Sequence, residues 1–185
     1  MIHPLETERL ILRNYTKEDL PYVHSLRAEP LVWKYSTITT TSSLADARVY
    51  LEDVLDKYAH HACGFQALFD KSTGQYIGEA GVMAFNTAGR KAVIGYNLLP
   101  DFWHKGYATE IVNALVVYLF GKIHVERVEA LAVESNVASR KVLTKSGFVL
   151  EGVLRNYACI DSRFVNVCMY SMIRADYEYA LTRQS

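Results

Sequence analysis

The segment Phe102–Glu110, FWHKGYATE, sets a lysine and a glycine directly before an amphipathic run. From Tyr107 the apolar positions Ala108, Ile111, Val112, Leu115 and Leu119 recur at helical spacing, so Lys105 and Gly106 stand at a helix entrance. Unpaired first-turn amides and the helix macrodipole make such an entrance attractive to phosphate or pyrophosphate, and glycine lets the anion come close to the backbone. A plain strand-to-helix connection would use the same residues. The commoner phosphate loops do not fit. A Walker-type loop places Lys after its second glycine and Ser or Thr beyond it, whereas Lys105 precedes Gly106 and no hydroxyl follows at the metal-binding place. A dinucleotide fingerprint needs three spaced glycines early in a βαβ unit, and this loop has one, past the middle of the chain. A phosphate-containing ligand held mainly by backbone amides, without metal, is the reading left.

The elements that must position this loop can be read on either side of it. Arg9–Arg13 is a first strand, and Thr16 with Asp19 has capping-box spacing for a helix running toward Pro30. The polar run Ser36–Ser43 is a loop, and Ser43 with Asp46 opens a second helix carrying Leu44, Ala47, Leu51, Val54, Leu55 and Tyr58. Phe65–Phe69, Tyr76–Phe85 and Ala92–Leu99 form an antiparallel meander with turns at Ser72–Gly74 and Thr87–Gly89. After the Gly106 helix come the strand Arg127–Val133 and a short helix capped by Asn136 and stopped at Gly147. Phe148–Ile160 and Phe164–Ile173 alternate as two long strands around an Asp161-Ser162 turn, and a tail helix begins at Arg174. The strands flanking the Gly106 helix are joined through a helix and must be parallel in an otherwise antiparallel sheet. Ligands gather where strand carboxyl ends meet helix amino ends, which puts the crevice at Leu99–Lys105.

With 185 residues, half of them hydrophobic, the chain suits one domain over 1–185. Twenty basic and twenty acidic residues leave no general field for nucleic acid or an anionic membrane, so neither is an expected partner. The three cysteines, Cys63, Cys159 and Cys168, are widely separated, without metal-ligand spacing, and read as small core hydrophobes. With no signal peptide or long apolar span in the sequence, reduced thiols in a cytoplasmic protein are expected.

Three segments, LETERLILRNYTKEDL, IGYNLLPDFWHKGYATE and ESNVASRKVLTKSGFVLEGVLR, occur in an order and spacing that make nearly the whole chain resemble one family. It resembles the GNAT superfamily of acetyl-CoA-dependent N-acetyltransferases, in the branch of the ribosomal-protein N-terminal (Rim-type) enzymes. The family loop, with Trp in this branch, then two residues, Gly, one residue, and Gly or Ala, maps onto Trp103, Gly106 and Ala108. The resemblance implies an α/β (α+β) fold: a mixed, mostly antiparallel sheet of about seven strands flanked by about four helices, its central parallel pair splayed at the acetyl-CoA site. It also implies a cofactor site of Leu99, Trp103, His104, Lys105, Gly106, Tyr107, Ala108 and Thr109, with amides of His104, Gly106, Ala108 and Thr109 on the CoA pyrophosphate. Asn136 matches the family's CoA-contacting Asn, and Ser139 matches the serine placed beside the sulfur as proton donor. Elsewhere in the superfamily a Tyr four residues before the Gly-Phe pair has that role. Here Leu143 stands four residues before Gly147 and Thr144 three, and Thr144 reaches less far than a Tyr.

His104 stands where this branch usually has Gly, and Val93, Ala158 and Asn166 stand where relatives often carry acidic residues. Glu79, on a central strand, and Glu151, in the EGVLR segment, are the remaining carboxylate candidates, each with a purely structural role as the alternative. Glu151 with Arg155 is either a surface pair or a contact for a substrate terminus. Trp33, Tyr35 and Tyr157 either wall an acceptor slot or pack in the core, and the His60-His61 pair is a solvated helix end. The reaction implied is direct attack of an amine on the acetyl carbonyl, without a covalent enzyme intermediate. Deprotonating an α-amine of pKa ~7.8 at pH ~7.4 costs about 0.5 kcal/mol, against about 4 kcal/mol for a lysine of pKa ~10.4. A site short of bases therefore favours a protein or peptide N-terminal α-amine, with ribosomal proteins the leading class and a monomer or homodimer expected. A polyamine or aminoglycoside acceptor, or a non-catalytic acetyl-CoA-binding module, is the alternative.

Overall fold

The structure, a computed structural model, describes residues 4–38, 40–41, 43–60 and 62–183. Eight strands form one sheet: β1 (Leu5–Glu6), β2 (Leu10–Arg13), β3 (Gly64–Asp70), β4 (Tyr76–Asn86), β5 (Lys91–Leu98), β6 (Arg127–Val133), β7 (Val149–Ile160) and β8 (Arg163–Ile173). Their order is β1-β2-β3-β4-β5-β6-β8-β7, and among the described residues every neighbouring pair is antiparallel except β5 with β6. The helices are α1 (Leu20–Arg27), α2 (Pro30–Trp33), α3 (Leu44–Ala59), α4 (Tyr107–Tyr118), α5 (Val137–Lys145) and α6 (Arg174–Thr182). The mixed sheet and its parallel pair are as expected. The two-residue β1 and one-turn α2 add to the expected elements, because pieces so short carry no period to read. Among the described residues no helix is long and apolar enough to cross a membrane.

Local chemistry sets the helix starts. Asp19 Oδ2 accepts the Thr16 N–H (2.7 Å) at a 3-10 turn that leads into α1. Ser43 Oγ accepts the Asp46 N–H (3.3 Å) at the start of α3, but Asp46 does not close the box. Its Oδ2 accepts instead from Thr41 Oγ1 (2.6 Å), which in turn accepts the Ser43 N–H (3.1 Å). Thr39 and Ser42 of that polar run, and His61, lie outside the described residues. His60 is exposed at the C-terminal cap of α3.

Two apolar layers hold the sheet. One face packs Leu10, Leu68, Ile77, Ala80 and Val128 against Ile111, Val112 and Leu115 of α4 and Leu143 of α5. The other packs Ala67, Phe69 and Tyr76 against Val23 and Leu26 of α1, Trp33, and Ala47, Leu51 and Val54 of α3. Gly78 sits at a bulge between them: Leu68 opposes Gly78 and Phe69 opposes Tyr76, so Ile77 is the extra residue. The bulge lets Ile77 and Ala80 share the α4 face while Tyr76 and Glu79 share the α1 face. Its φ of +146°, and a Cβ position that would fall on the Asn97 carbonyl, admit only glycine.

On the far side of the sheet, Arg127 of β6 binds Glu151 of β7 through both terminal guanidinium nitrogens, Nη1 and Nη2, and Ser171 Oγ of β8 donates to Glu151 Oε1 (2.6 Å). This corrects the expected Glu151–Arg155 pair, since the partner comes from two strands away. Cys63 is half-buried and Cys168 buried, as core hydrophobes should be, whereas Cys159 is exposed near the tip of the β7–β8 hairpin.

Replacing Gly78 by Ala is expected to lower unfolding free energy by ~2 kcal/mol or more, read from a denaturant midpoint. An unchanged midpoint would contradict the bulge's steric role. The Glu151 carboxyl is held below its ordinary 4.5, at about 2, first by Arg127 and then by Ser171. Its stabilisation is therefore present above pH 4.5 and lost as pH falls through about 2. The Glu151→Gln variant should lose less of its stability than the parent across that acid interval, measured by denaturation at each pH.

Candidate active site

The loop between β5 and α4 begins with a 3-10 turn, Pro100–Phe102, closed by Phe102 N–H to Leu99 O and Trp103 N–H to Pro100 O, each 3.0 Å. Trp103 Nε1 reaches back to the Leu98 carbonyl (2.7 Å) and so locks the loop across the end of β5. His104 and Gly106 both take left-handed backbone angles, φ +60° and +83°. For Gly106 this is free, but for His104 it costs about 1 kcal/mol, which explains why glycine is the commoner residue there. The first intrahelical bond of α4 is Glu110 N–H to Gly106 O (3.0 Å), leaving the amides of Tyr107, Ala108 and Thr109 ahead of it at the positive helix end. A Cβ on Gly106 would meet only Arg9 Nη2, at 3.3 Å.

Arg9, directly before β2, fixes the loop. Its Nη1 donates to the Lys105 carbonyl (3.0 Å), its Nε donates to Glu110 Oε2 (2.7 Å), and its guanidinium lies 4.6 Å from the centre of the Tyr107 ring. Burial alone would raise the Glu110 pKa, but bonds from Thr7 and Arg9 hold it below its ordinary value, so the carboxylate stays charged and neutralises Arg9. Tyr107 is tied down separately, its hydroxyl donating to Asp70 Oδ2 (2.7 Å). Sequence reasoning passed over Arg9, Asp70 and Glu110. The RL pair that opens the first strand was visible only as a strand, and its meeting with α4 is a tertiary fact.

Beyond this loop the parallel pair opens. β5 and β6 share only the registers Lys91–Arg127, Ala92–Val128 and Val93–Glu129, so Ile94–Leu98 and Ala130–Val133 are not paired with each other. Both segments have backbone groups facing the gap. Asn136 caps α5 at the mouth of the gap, its Oδ1 accepting the Ser139 N–H (3.1 Å). Ser139 Oγ lies 2.9 Å from the hydroxyl of Tyr96, a β5 residue that sequence reasoning missed. The alternation Ile94, Tyr96, Leu98 was the available signal, since all three pack on the α4 face. Thr144 is turned away, its hydroxyl donating to the Arg140 carbonyl of its own helix (3.1 Å).

Glu79 is fully buried on the α1 face and accepts from Tyr15 (3.1 Å), Tyr50 (2.9 Å) and Asn97 Nδ2 (2.9 Å), while Tyr15 and Tyr76 share a further bond of 2.7 Å. Burial raises its pKa most strongly, and the three donors partly offset that. This corrects the expectation of a catalytic carboxylate: with no exposed surface and its oxygens taken by side chains, Glu79 holds Asn97 and Tyr50 in place and does not meet an acceptor. Trp33 follows the core-packing alternative. Its indole is buried in the α1 layer with Nε1 donating to Leu26 O (2.8 Å), which ties α2 to α1.

Tyr35 does line a cavity of about 450 Å³, together with Lys34, Val133, Ser135, Asp161 and Arg163, at the carboxyl end of β6. The β7–β8 hairpin supplies its outer wall. Three residues, Arg155, Asn156 and Tyr157, bulge opposite the single Asn166, whose Oδ1 accepts the Asn156 N–H (3.0 Å) and whose Nδ2 donates to Glu134 (2.9 Å). Arg155 and Tyr157 are exposed on this bulge, outside the cavity lining, and Glu151 is occupied by Arg127.

The family model for an acetyltransferase (GNAT) domain matches residues 9–149. An uncharacterized N-acetyltransferase of Bacillus licheniformis, p20, is 32% identical over 173 residues, covering 94% of this chain and 97% of that protein. Among solved structures, RimL, a ribosomal alpha-N-protein acetyltransferase in complex with coenzyme A, superposes with a TM-score of 0.83 at 19% identity, covering 92% of this chain and 98% of that one. The spermidine N-acetyltransferase of Vibrio cholerae in complex with CoA and spermine superposes with a TM-score of 0.81 at 22% identity, covering 93% and 99%. With a family match over most of its length and a relative of that identity across nearly all of it, this chain belongs to the GNAT family of N-acetyltransferases.

Proposed function

We propose that this chain moves the acetyl group of acetyl-CoA to the N-terminal α-amine of a protein or peptide. The observation that carries the donor half is the opened β5–β6 pair ending beside the left-handed Gly106 loop. The amides of His104, Gly106, Ala108 and Thr109 would hold the pyrophosphate, with Leu99, Trp103, Lys105 and Tyr107 shaping the loop. The pantetheine arm would pair with the free edge of β5, as an added strand would. Asn136 sets the first turn of α5, where the Ser139 hydroxyl would stand at the sulfur, and strand amides in the gap would stabilise the oxyanion.

The acceptor half rests on the cavity at the end of β6. Lys34 and Arg163 face it with one carboxylate, Asp161, so its charge suits an acceptor that brings acidic groups and opposes a polyamine carrying several ammonium ions. With Glu79 enclosed, no carboxylate base need be found. An α-amine of pKa ~7.8 is already substantially neutral near pH ~7.4. A small-molecule amine remains the second reading, favoured by the spermidine acetyltransferase among the matching structures.

Changing Gly106 to Glu should weaken CoA binding by about tenfold or more in calorimetry, through a carboxylate in the anion cradle and a blocked amide approach. Unaltered affinity would remove the loop from the site. In a thiol-release assay, peptides with acidic residues behind a free N-terminus should exceed spermidine and aminoglycosides in kcat/KM by about tenfold or more, and the double charge reversal of Lys34 and Arg163 to Glu should narrow that ratio. Faster turnover of spermidine would overturn the peptide reading. CoA binding with no turnover on any of these amines would identify a binding module.

A further inference from the structure

Ser139 by itself is a poor acid. An aliphatic hydroxyl is about as weak an acid as water, pKa ~15.7, whereas the departing thiol lies near ~8.5, so a serine acting alone would be left as an alkoxide some seven powers of ten too basic. Something must restore its proton as it gives one away. Resting on the acetyl-transfer reading above, we propose that Tyr96 is the positioning residue that makes Ser139 competent, its hydroxyl 2.9 Å from Ser139 Oγ passing a proton to the serine as the serine protonates sulfur.

The placement is specific. Tyr96 lies on the part of β5 that has parted from β6, and its phenol crosses the gap to the first turn of α5. It meets Ser139 twice, at Oγ and at the carbonyl oxygen (3.3 Å), so the phenol oxygen is held at this turn and its one proton serves either partner. The serine amide is held in turn by Asn136, which leaves the Oγ–Tyr96 hydroxyl pair as the adjustable part of the turn. Burial pushes the Tyr96 phenol up to about 12, with the Ser139 bond partly offsetting this, so the group carries its proton throughout the neutral range. Neither Leu143 nor Thr144, in the last turn of α5, carries a phenol, and Tyr96 brings one to the first turn of that helix.

The transfer balances without another reactant. The carbon–sulfur bond breaks with its electron pair on sulfur, sulfur takes the Ser139 proton, and Ser139 takes the Tyr96 proton. The phenolate is then neutralised by the proton shed from the acceptor nitrogen as the amide forms. Nothing is oxidised or reduced.

The Tyr96→Phe variant removes one oxygen and keeps the packing. Its kcat should fall by about ten- to a hundredfold while the KM for acetyl-CoA stays within about twofold. The pair acts as a unit, so adding Ser139→Ala to it should cost no more than Ser139→Ala alone. A readout free of turnover is the ultraviolet titration of CoA bound to the protein. Hydroxyls donating toward sulfur favour the thiolate, so Tyr96→Phe should raise the bound thiol's pKa by roughly half a unit or more. Wild-type kcat with an unmoved thiol titration in Tyr96→Phe, or losses that multiply in the double variant, would overturn the role. Failure of the unmutated protein to bind CoA would instead overturn the acetyl-transfer reading, and this role with it.

Discussion

The site depends on a shortage of hydrogen bonds at one seam. β5 is paired to β4 along its length, from Lys91 opposite Asn86 to Leu98 opposite Gly78, and β6 is paired to β8 from Arg127 to Val133. Each strand is thus complete on its outer side. Their shared seam closes for three registers and then stops. Because the outer ladders hold each half of the sheet, the seam can part without unravelling either, and the backbone groups exposed there are the polar surface that a ligand arm needs. α4 and α5 pack on the same apolar layer that spans the seam, with Ile111, Leu115 and Leu143 fully buried, and so fix the opening.

Around that seam the charges are arranged to leave the backbone in control. Arg9 is neutralised by Glu110 and aimed at the Lys105 carbonyl, so it stiffens the loop instead of presenting a free cation to the ligand. Asp70 is satisfied by Ser72, Thr73 and Tyr107, and their bonds hold its pKa below the ordinary value. The anion-seeking groups left at the loop are therefore the first-turn amides of α4, with the exposed Lys105 ammonium beside them. This agrees with the family's reliance on a glycine-bearing turn, and it gives a physical reason why His104 is tolerated in a left-handed conformation: the loop is over-determined from below.

How much of this was legible depended on whether the information was local. The Gly106 turn, the apolar stripe of α4, the Asn136 cap three residues before Ser139 and the Gly147 stop are all set by residues within a helical turn of one another, and each stands where the spacing placed it. Apart from the two-residue β1, strand existence was equally readable from alternation. Pairing was not. Glu151 and Arg155 lie four residues apart on one strand, about 13 Å, whereas Arg127, two strands away across β8, is about 10 Å off and has a long side chain, so the contest for a partner was decided by register and went to Arg127. Glu79 was misjudged for the same reason. Its strand position was correct, but the bulge at Gly78 that turns it inward toward Tyr15 and Tyr50 depends on what Leu68 and Phe69 oppose. Tyr96 was invisible as chemistry because its partner lies 43 residues further along the chain.

The bulge in β7 has a consequence for how such proteins diverge. Between Leu154, opposite Val167, and Ala158, opposite Val165, the strand carries three residues against one, with Asn156 at φ +51° tethered by Asn166. Slack of this kind decouples the hairpin tip from the rest of the sheet. Residues gained or lost there would slide or reshape the tip without shifting the pairing of Val149–Leu154 below it, and so without disturbing β6 or the cofactor seam. A family built on one donor can in this way try out new acceptors at little risk to its foundations, which is the pattern expected when relatives of nearly identical architecture act on ribosomal proteins in one case and on spermidine in another.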